Sequence, residues 1–414
     1  MNRELLVYVD LDRKPVLCGR LWTRTAPRAS ASFEYDASWR ADPRAFAVDP
    51  EMPLTAGRFH TGRSVFRTFT DPAPDRWGQM LLRRAERARA RRESRSPRTL
   101  TAVDFLTLVD DETRLGALRF RDASADDSAP FLSTSGPRIP PLVALPRLLG
   151  ATARVVADKE TDEDLALVLA PGTSLGGARP KASVRGTDGR LLVAKFPSAT
   201  DEWPATRWEA TLLGLAAAAG IRVPAFRLEI VARKAVVLLE RFDREGATRI
   251  PYMSAMTALS ADDNEARSYL DIVDALRREG SRAAADLREL WRRLVFNVLV
   301  SNTDDHLRNH GFLHDGAGWR LAPAYDLNPT PTDVRPRMHA LALDETDTTA
   351  SMETTFEVAP KFGIGLAEAH RVAREVAGVV GNWRAAGNRC GLKPRELERM
   401  ESAFQHEDLA RAAK

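Results

Sequence analysis

Cysteine is nearly absent from this chain, and long apolar runs are missing from it. Among 414 residues there are two cysteines, Cys18 and Cys390, which cannot form a Cys-rich zinc site and are typical of a reducing compartment. No run of about eighteen apolar residues is present, so we expect no membrane-spanning helix. The opening residues, MNRELLVYVDLD, include acids where a secretory signal needs an apolar core. These absences predict a cytoplasmic protein with no membrane partner.

Two well-known nucleotide and metal motifs are also missing or incomplete. The pattern GxxxxGK[ST] does not occur in the sequence, so a P-loop nucleotide site is not expected. His306 and His310 have the i, i+4 spacing of a zinc-binding helix. That motif needs a Glu directly after the first His, where the chain has Leu307. A zinc site at these histidines is therefore an alternative that lacks one of its residues.

The charge of the chain is nearly balanced overall but unevenly distributed. With 44% hydrophobic and 29% charged residues, the composition is typical of a globular protein, and the length exceeds one ordinary core. The net charge is +4, yet half of the residues of Arg83–Arg98, RRAERARARRESRSPR, are arginine. This stretch is either a solvated helix face or a patch for nucleic acid or an acidic partner. No aromatic residue interrupts it, so base stacking is not expected.

Apolar periodicity and turn signals divide the chain into segments. Residues 3–22 alternate as two strands around LDRKP and predict an opening hairpin, whereas the stretch around Trp77 predicts a helix. Residues 122–141 are rich in Ser, Asp and Pro, lack periodicity and form the best boundary. Further on, TDGR between two apolar segments predicts a two-residue hairpin turn, and a helix is expected to stop at Gly220. From Met253 the pattern is nearly all helical, apart from one polar stretch.

That polar stretch, residues 302–326, is the most informative in the sequence and reads NTDDHLRNHGFLHDGAGWRLAPAYD. It follows an apolar helical run, so its polar residues are expected at the mouth of a buried region. Asp304 precedes Asn309 by five residues, and Asp326 follows a predicted hairpin. Protein kinases place a base and two Mg²⁺ ligands in this order, and the aspartate after Asp304 has the wrong spacing for the base. Alternatively, Thr303 or the Asn before it caps a helix whose first turn holds both aspartates.

Three features upstream occur in the order that a kinase requires. Thr173–Lys181, TSLGGARPK, is a Gly-containing loop in which backbone N–H groups and basic side chains can approach phosphate; a plain hairpin loop is the alternative. Lys195 lies in an apolar strand, and Glu209 in the following helix is its candidate partner. Glu240–Asp243, ERFD, ends another apolar strand, where a kinase hinge offers backbone groups to adenine.

The segments TSLGGARPKASV, LLVAKFPS, ERFDR, NTDDHLRNHGFL and LAPAYDLNPTP together resemble the HipA-type serine/threonine kinases, the toxins of bacterial toxin–antitoxin pairs. DPAPDRWGQMLLRRAE and VDFLTLVDDETRLGALRF extend the resemblance to the N-terminal region. It implies an α+β protein with a two-lobed protein-kinase-like fold, a β-rich N-terminal subdomain and a helical C-terminal lobe. The implied divisions are a β-rich subdomain, a linker, an N-lobe-like region with the phosphate loop and a helical lobe with the catalytic residues, at residues 1–121, 122–141, 142–250 and 251–414.

By the same resemblance, Asp304 is the catalytic base, Asn309 and Asp326 bind Mg²⁺, and Lys195 contacts the ATP phosphates. Ser174 is the autophosphorylated serine, where an added charge of roughly −1.5 to −2 would compete with ATP. Arg179 and Pro180 stand where the family commonly has a Gln-Glu pair. The residues that the resemblance places at the ATP are Ser174, Gly176, Gly177, Ala178, Lys181, Lys195, Glu209, Glu240, Phe242, His306, Asn309 and Asp326.

The resemblance also implies an activity and a set of partners. The expected activity is Mg-ATP-dependent phosphorylation of a protein serine or threonine, with an aminoacyl-tRNA synthetase as the candidate substrate. The expected partner is a helix-turn-helix antitoxin resembling HipB, through which the protein would meet operator DNA indirectly. Two alternatives remain from the sequence: a small-molecule kinase on the same scaffold, and a catalytically dispensable corepressor that assembles with a DNA-binding antitoxin.

Overall fold

The computed structural model describes residues 2–25, 28–126, 128–134, 139–169, 177 and 179–414. In chain order the strands are β1 (Asn2–Leu11), β2 (Lys14–Arg24), β3 (Ser30–Tyr35), β4 (Arg58–Thr61), β5 (Leu118–Asp122), β6 (Lys181–Arg185), β7 (Leu191–Lys195), β8 (Phe226–Val231), β9 (Lys234–Glu240), β10 (Arg244–Glu245), β11 (Thr248–Arg249), β12 (Tyr252–Ser254), β13 (Gly311–His314) and β14 (Trp319–Leu321).

The helices follow the same numbering by chain order. The α-helices are α1 (Ala37–Ala41), α2 (Arg76–Arg92), α3 (Ala102–Leu108), α4 (Leu145–Val156), α5 (Asp162–Leu169), α6 (Ala205–Ala218), α7 (Ala255–Ala258), α8 (Tyr269–Glu279), α9 (Ala283–Leu299), α10 (Met352–Val358), α11 (Leu366–Val380), α12 (Trp383–Arg389), α13 (Pro394–Arg399) and α14 (Glu407–Ala412). Short 3-10 turns lie at Arg67–Phe69, Leu142–Ala144, Leu307–Asn309, Ala359–Phe362 and Glu401–Ala403. These elements form two compact units: unit 1 comprises Met1–Ala199 and Glu240–Met253, and unit 2 comprises Thr200–Leu239 and Ser254–Lys414.

Unit 1 contains a five-stranded antiparallel sheet in the order β4-β3-β2-β1-β5. The first two strands confirm the predicted opening hairpin. Asp12 and Arg13 turn the chain there with φ angles of 51° and 66°, as a two-residue type I′ turn requires. Alternate residues along each strand face one side of the sheet, so Leu5, Val7 and Leu21 are all fully buried in one apolar core.

The helix predicted around Trp77 is confirmed as α2, which packs on α5 within unit 1 and shares a buried cluster with α4. Trp77, Leu81 and Leu165 belong to one buried apolar cluster. Asp75 caps the helix, since its carboxylate accepts a hydrogen bond from the Gly78 N–H at 2.8 Å. One face of α2 is therefore fixed in the protein, which leaves the arginine-rich face toward solvent.

The predicted Asp-Gly hairpin is confirmed as β6 and β7, in which Lys181 pairs with Lys195. Its turn is one residue longer than predicted, because the Gly186 N–H donates to the Arg190 carbonyl at 2.8 Å and closes a three-residue loop. Gly189 has a φ of 82°, the left-handed position that such loops give to glycine.

Part of the segment 122–141, predicted as a linker, is packed against the sheet of unit 1. Phe131 is 9% exposed, and its ring lies edge-on to Tyr8 with centroids 5.2 Å apart. The guanidinium of Arg119 lies over the same ring, 3.7 Å from the centroid. Phe131 thus anchors residues 128–134, although the composition of the segment is that of a loop. The division of the chain into four parts stays a prediction.

Unit 2 is mostly helical and is centred on α9, which packs against α8, α10 and α11. Its apolar face is completely buried, with Leu290, Trp291, Leu294 and Val298 each 0% exposed. Antiparallel hairpins β8–β9 and β13–β14 also belong to this unit. The predicted α+β class, with a β-rich N-terminal region and a helical C-terminal region, is confirmed.

Residues 322–351 carry neither helix nor strand, although the sequence predicted mostly helix after residue 326. Four prolines in this stretch lack the N–H that an α-helix needs. Backbone hydrogen bonds anchor the stretch to the candidate catalytic loop instead: the Thr330 N–H donates to the Ser301 carbonyl at 3.1 Å, and the Ala340 N–H donates to the Thr303 carbonyl at 3.0 Å. Within the described ranges, no helix is both long and apolar enough to cross a bilayer.

Candidate active site

The loop that follows α9 carries the candidate catalytic residues. Ser301 takes a φ of 50°, the left-handed conformation in which helices commonly end. Asp304 then lies at the surface with 73% of its side chain exposed, whereas the Asp305 side chain is 4% exposed. The next helical element is the short 3-10 turn that begins at Leu307. The alternative in which Thr303 or its neighbour caps an α-helix is therefore wrong.

Asp305 anchors this loop to the interior of unit 2. Its Oδ2 accepts hydrogen bonds from the Tyr269 hydroxyl, from Asn297 Nδ2 at 3.0 Å and from His310 Nε2 at 2.8 Å. Burial alone would raise the pKa of Asp305, but the charge of His310 and these hydrogen bonds outweigh burial and lower it. Asp305 is thus an ionised structural group, and its exposed neighbour Asp304 is the aspartate that can meet a substrate.

The histidines of this region do not form the zinc site considered above. The Nε2 of His310 is hydrogen-bonded to Asp305. His306 precedes a 3-10 turn and does not lie on an α-helix. No group of three or more His, Cys, Asp or Glu residues suited to a metal occurs in the part of the chain that is described. His339 lies near this network, and burial lowers its pKa to about 4.

Hydrogen bonds connect the two segments that carry Asn309 and Asp326. Asn309 Nδ2 donates to the Asp304 carbonyl at 3.1 Å, so its amide oxygen is the atom left for a ligand. The Tyr325 hydroxyl donates to the Arg308 carbonyl at 2.8 Å, which places the residue before Asp326 beside the residue before Asn309. Asp326 itself has a φ of 60°. Such left-handed aspartates cost conformational energy and are concentrated at functional sites.

Two residues near Asp304 were not identified from the sequence. Arg335 lies 3.4 Å from the Asp304 carboxylate, and it comes from the irregular stretch whose position no local pattern predicts. Asn297 lies in α9 and is 2% exposed. A signal for Asn297 did exist, because an amide within the apolar run LVFNVLV has to find buried partners.

The lysines of the β6–β7 hairpin lie opposite each other, although like charges placed so closely destabilise a sheet. Lys181 is 2% exposed and Lys195 is 8% exposed. Lys181 Nζ forms an ion pair with Asp75 at 2.6 Å, and the Trp77 indole N–H donates to the Lys181 carbonyl at 3.0 Å. The hairpin therefore buries two cations side by side, and a carboxylate from the start of α2 compensates the first.

The other predicted ATP contacts lie at several places in the chain. Gly177 is exposed with a φ of 99°, while Ser174, Gly176 and Ala178 lie outside the described residues. Glu209 is buried in α6 of unit 2, and its pairing with Lys195 stays a prediction.

The ERFD segment is largely a structural element of unit 1. Arg241 and Asp243 form a buried ion pair at 2.6 Å, and the Gly116 N–H donates to the Asp243 carboxylate at 2.7 Å. Burial would raise the pKa of Asp243, but the charges of Arg241 and Arg244 lower it. Two residues of this segment were predicted at the adenine. Glu240 forms an ion pair with Arg190, and the ring centroids of Phe242 and Tyr252 are 6.1 Å apart.

Comparisons with known proteins assign the chain to a family. The HipA N-terminal domain matches residues 9–121, and the HipA-like C-terminal domain matches residues 173–384. The solved HipA of Shewanella oneidensis MR-1, in complex with HipB and operator DNA, is 15% identical with a TM-score of 0.64, covering 99% of this chain and 96% of that one.

Curated relatives match shorter parts of the chain. Y4mE of Sinorhizobium fredii, named as a candidate kinase, is 29% identical over an alignment of 225 residues that covers 47% of this chain and 51% of Y4mE. Y4dM of the same organism, also named as a candidate kinase, is 38% identical over an alignment of 96 residues that covers 22% of this chain and 23% of Y4dM. The chain thus spans about half the length of Y4mE. The two domain matches together show that the chain belongs to the HipA family.

Proposed function

We propose that this chain is a Mg-ATP-dependent protein kinase that phosphorylates serine or threonine and acts as the toxin of a toxin–antitoxin pair. The observation that carries the proposal is the arrangement of the loop after α9. There an exposed Asp304 is followed by Asn309, whose amide is tied to the Asp304 backbone, and by Asp326 in a left-handed conformation. Membership of the HipA family and relatives named as candidate kinases support the same chemistry.

The residues fit a magnesium ion. Mg²⁺ prefers oxygen ligands and takes one or two from the protein, with the rest from phosphates and water. The hydrogen bond from Asn309 Nδ2 to the Asp304 carbonyl leaves the amide oxygen for a ligand, and Asp326 supplies a carboxylate. ATP, when bound, supplies the phosphoryl group that is transferred.

The chain's own side chains have distinct roles in this proposal. Asp304 accepts the proton of the substrate hydroxyl and orients its oxygen, for which its exposure is required. Asn309 and Asp326 hold the metal, and Lys195 binds the phosphates. Arg335 lies beside Asp304. Its positive charge there stabilises the negative charge that develops on the phosphoryl oxygens.

The partners in the proposal come from the relative and from the family resemblance. The solved Shewanella protein is in complex with HipB and operator DNA, so we propose a helix-turn-helix antitoxin as the partner, with operator DNA reached through it. The proposed substrate is a protein, with an aminoacyl-tRNA synthetase as the candidate. Ser174 is the proposed site of autophosphorylation.

Labelling a cell lysate with γ-labelled ATP and the purified protein tests the activity. Wild type is expected to label a protein on serine or threonine, and Asp304→Asn is expected to lose labelling by at least about a hundredfold because the base is missing. Asp333→Asn is the matched control, since Asp333 is likewise exposed and ion-paired with an arginine, Arg399.

Three results would count against the proposal. Equal labelling by Asp304→Asn and wild type would remove Asp304 from the chemistry. Label found only on small molecules would favour a small-molecule kinase. Absence of any label, together with intact assembly with a helix-turn-helix antitoxin, would favour a corepressor without catalysis.

A further inference from the structure

Asn297 connects the two halves of the candidate active site through its side chain. It lies in α9, is 2% exposed and has apolar neighbours on both sides in the sequence. Its Nδ2 donates to Asp305 Oδ2 and to the Tyr269 hydroxyl, each at 3.0 Å. Its Oδ1 accepts a hydrogen bond from Asn302 Nδ2 at 3.1 Å. A single buried amide is therefore bonded at both ends.

The connection continues from Asn302 to the metal-binding side. Asn302 is 1% exposed, and its Oδ1 accepts a hydrogen bond from the Asn328 backbone N–H at 3.3 Å. Asn328 follows Asp326 by two residues, and Asp305 directly follows Asp304. The series Asp305, Asn297, Asn302, Asn328 thus links the neighbour of the proposed base to the neighbour of a proposed metal ligand.

Spacing between these two sides decides the rate of phosphoryl transfer. A displacement of about 1 Å between catalytic groups can cost roughly a hundredfold in rate. Asp304 is exposed and Asp326 is half-buried. The buried amides hold the backbone beside each of them.

We infer that Asn297 is a positioning residue that sets the distance between the base Asp304 and the metal ligand Asp326. The inference rests on the proposed function, because the roles of Asp304 and Asp326 as base and metal ligand come from it. No other side chain type of this size provides two donors and an acceptor in a fixed plane. Leu has nearly the same shape but none of these bonds, so Asn297→Leu removes the connection while it fills the space.

Loss of stability alone has to be separated from loss of position. Removing Asn297 leaves buried groups without partners, which itself costs about 1 to 3 kcal/mol. Val298→Ala is the matched control, because Val298 is the next residue of α9, is 0% exposed and contributes no side-chain polar bond. Both variants should unfold at lower temperature than wild type.

Kinetics provide the first test. Asn297→Leu is expected to lower kcat by roughly ten- to a hundredfold and to raise the Mg²⁺ concentration for half-maximal rate, with a smaller change in the KM for the protein substrate. Val298→Ala should change neither kcat nor the Mg²⁺ requirement by more than about twofold, since it leaves the network intact. Wild-type kinetics and Mg²⁺ requirement in Asn297→Leu would overturn the inference.

Amide hydrogen exchange provides a second test that needs no activity. In wild type the Asn328 N–H is bonded to Asn302, so Asn297→Leu should speed its exchange at least about tenfold, whereas Val298→Ala should not. Unchanged Asn328 exchange in Asn297→Leu would overturn the positional link even if wild type is active. If wild type binds no ATP and labels nothing, the proposed function fails, and faster Asn328 exchange would still support the link between the two loops.

Discussion

At the scale of single residues, two adjacent aspartates in this chain lie in opposite environments. Asp304 and Asp305 differ in side-chain exposure, 73% against 4%, because the loop crosses the surface of unit 2 between them. The exposed one is the proposed base, and the buried one holds the loop through its hydrogen bonds. A shift of the loop by one residue would exchange the environments of Asp304 and Asp305. It would also break the three hydrogen bonds that Asp305 accepts.

Asp326→Asn tests the proposed metal ligand without disturbing the backbone. Asn tolerates the left-handed conformation about as well as Asp does, so the melting temperature should stay within a few degrees of wild type. Removing the charge should raise the Mg²⁺ concentration needed for ATP binding by at least about tenfold, measured by titration of nucleotide affinity against Mg²⁺. An unchanged Mg²⁺ requirement would place the metal elsewhere. Asp347→Asn, at another loop aspartate of unit 2, is the control.

His339 makes the stability of the protein depend on pH in a definite direction. Burial lowers its pKa to about 4, below the value of about 6.5 in an unfolded chain. Between these values the unfolded chain binds the extra proton, so stability falls as the pH falls from about 6.5 to 4. The loss amounts to about 1.4 kcal/mol per pH unit at most.

His339→Gln should therefore flatten the pH dependence of the free energy of unfolding by about one proton between pH 4.5 and 6. Denaturant unfolding at several pH values measures it. His60→Gln, at an exposed histidine, should leave the slope as in wild type. The same slope in both variants would mean that His339 is not buried as a neutral group.

Ser174 lies outside the described residues, and its modification stays a prediction from the sequence. Mass spectrometry of protein made with intact Asp304 should find phosphate on Ser174, and protein with Asp304→Asn should lack it. The phosphorylated form is expected to bind ATP poorly, since the added charge repels the nucleotide phosphates. A bare Ser174 after long incubation with Mg-ATP would contradict the switch.

At the scale of elements, the arginines of α2 and the residues after it differ in their partners. Arg89 pairs with Glu86, and Arg92 with Asp162. Other arginines of Arg83–Arg98 pair with carboxylates or lie over an aromatic ring: Arg83, Arg84, Arg95 and Arg98. Arg87 and Arg91 lie one turn apart in a cleft of about 160 Å³ that also includes Arg84 and the carboxylates of Asp158, Glu160 and Asp162. Both are exposed, and we expect them to be the arginines of this stretch that meet a phosphate backbone.

Arg87→Ala with Arg91→Ala should therefore weaken DNA binding by the complex with the antitoxin. The slope of log affinity against log salt should fall by up to about two units, since each phosphate contact contributes about one. Arg89→Ala with Arg92→Ala removes the same charge from arginines that are already paired, and it should reduce the slope less. Equal slopes in wild type and both double variants would return the whole stretch to a solvated helix face.

The sequence predicted an element correctly where residues close to it in the sequence determine its conformation. The Asp-Gly hairpin and the stop at Gly220, whose φ is 77°, both follow from a few neighbouring residues. The partners of α2 come from residues 158–162, and Asp75 reaches Lys181 across 106 residues. No local pattern contains such pairings, and the same is true of Arg335. Prolines broke the helical pattern after Asp326 more thoroughly than expected.

At the scale of the whole molecule, nucleotide binding should be visible as added stability. A ligand at a hundredfold excess over its Kd stabilises the folded state by about 2.7 kcal/mol. Lys195→Ala is expected to abolish most of the ATP-dependent rise in melting temperature, because it removes a buried cation of the hairpin. Lys234→Ala, at an exposed lysine of β9, should keep the full rise. Thermal unfolding with and without Mg-ATP measures both, and a normal rise in Lys195→Ala would locate ATP away from the hairpin.

Unit 1 is discontinuous, and this has a consequence for how the protein is made. The buried carboxylate of Asp243 and the guanidinium of Arg241 reach the Gly116 N–H and the Thr113 carbonyl from residues 240–253. A ribosome that adds about 5 to 20 residues per second therefore needs on the order of ten seconds after residue 122 to deliver them. During that interval the nascent N-terminal region exposes groups that are later buried, and any chaperone or partner that binds it early competes with the chain's own later segment.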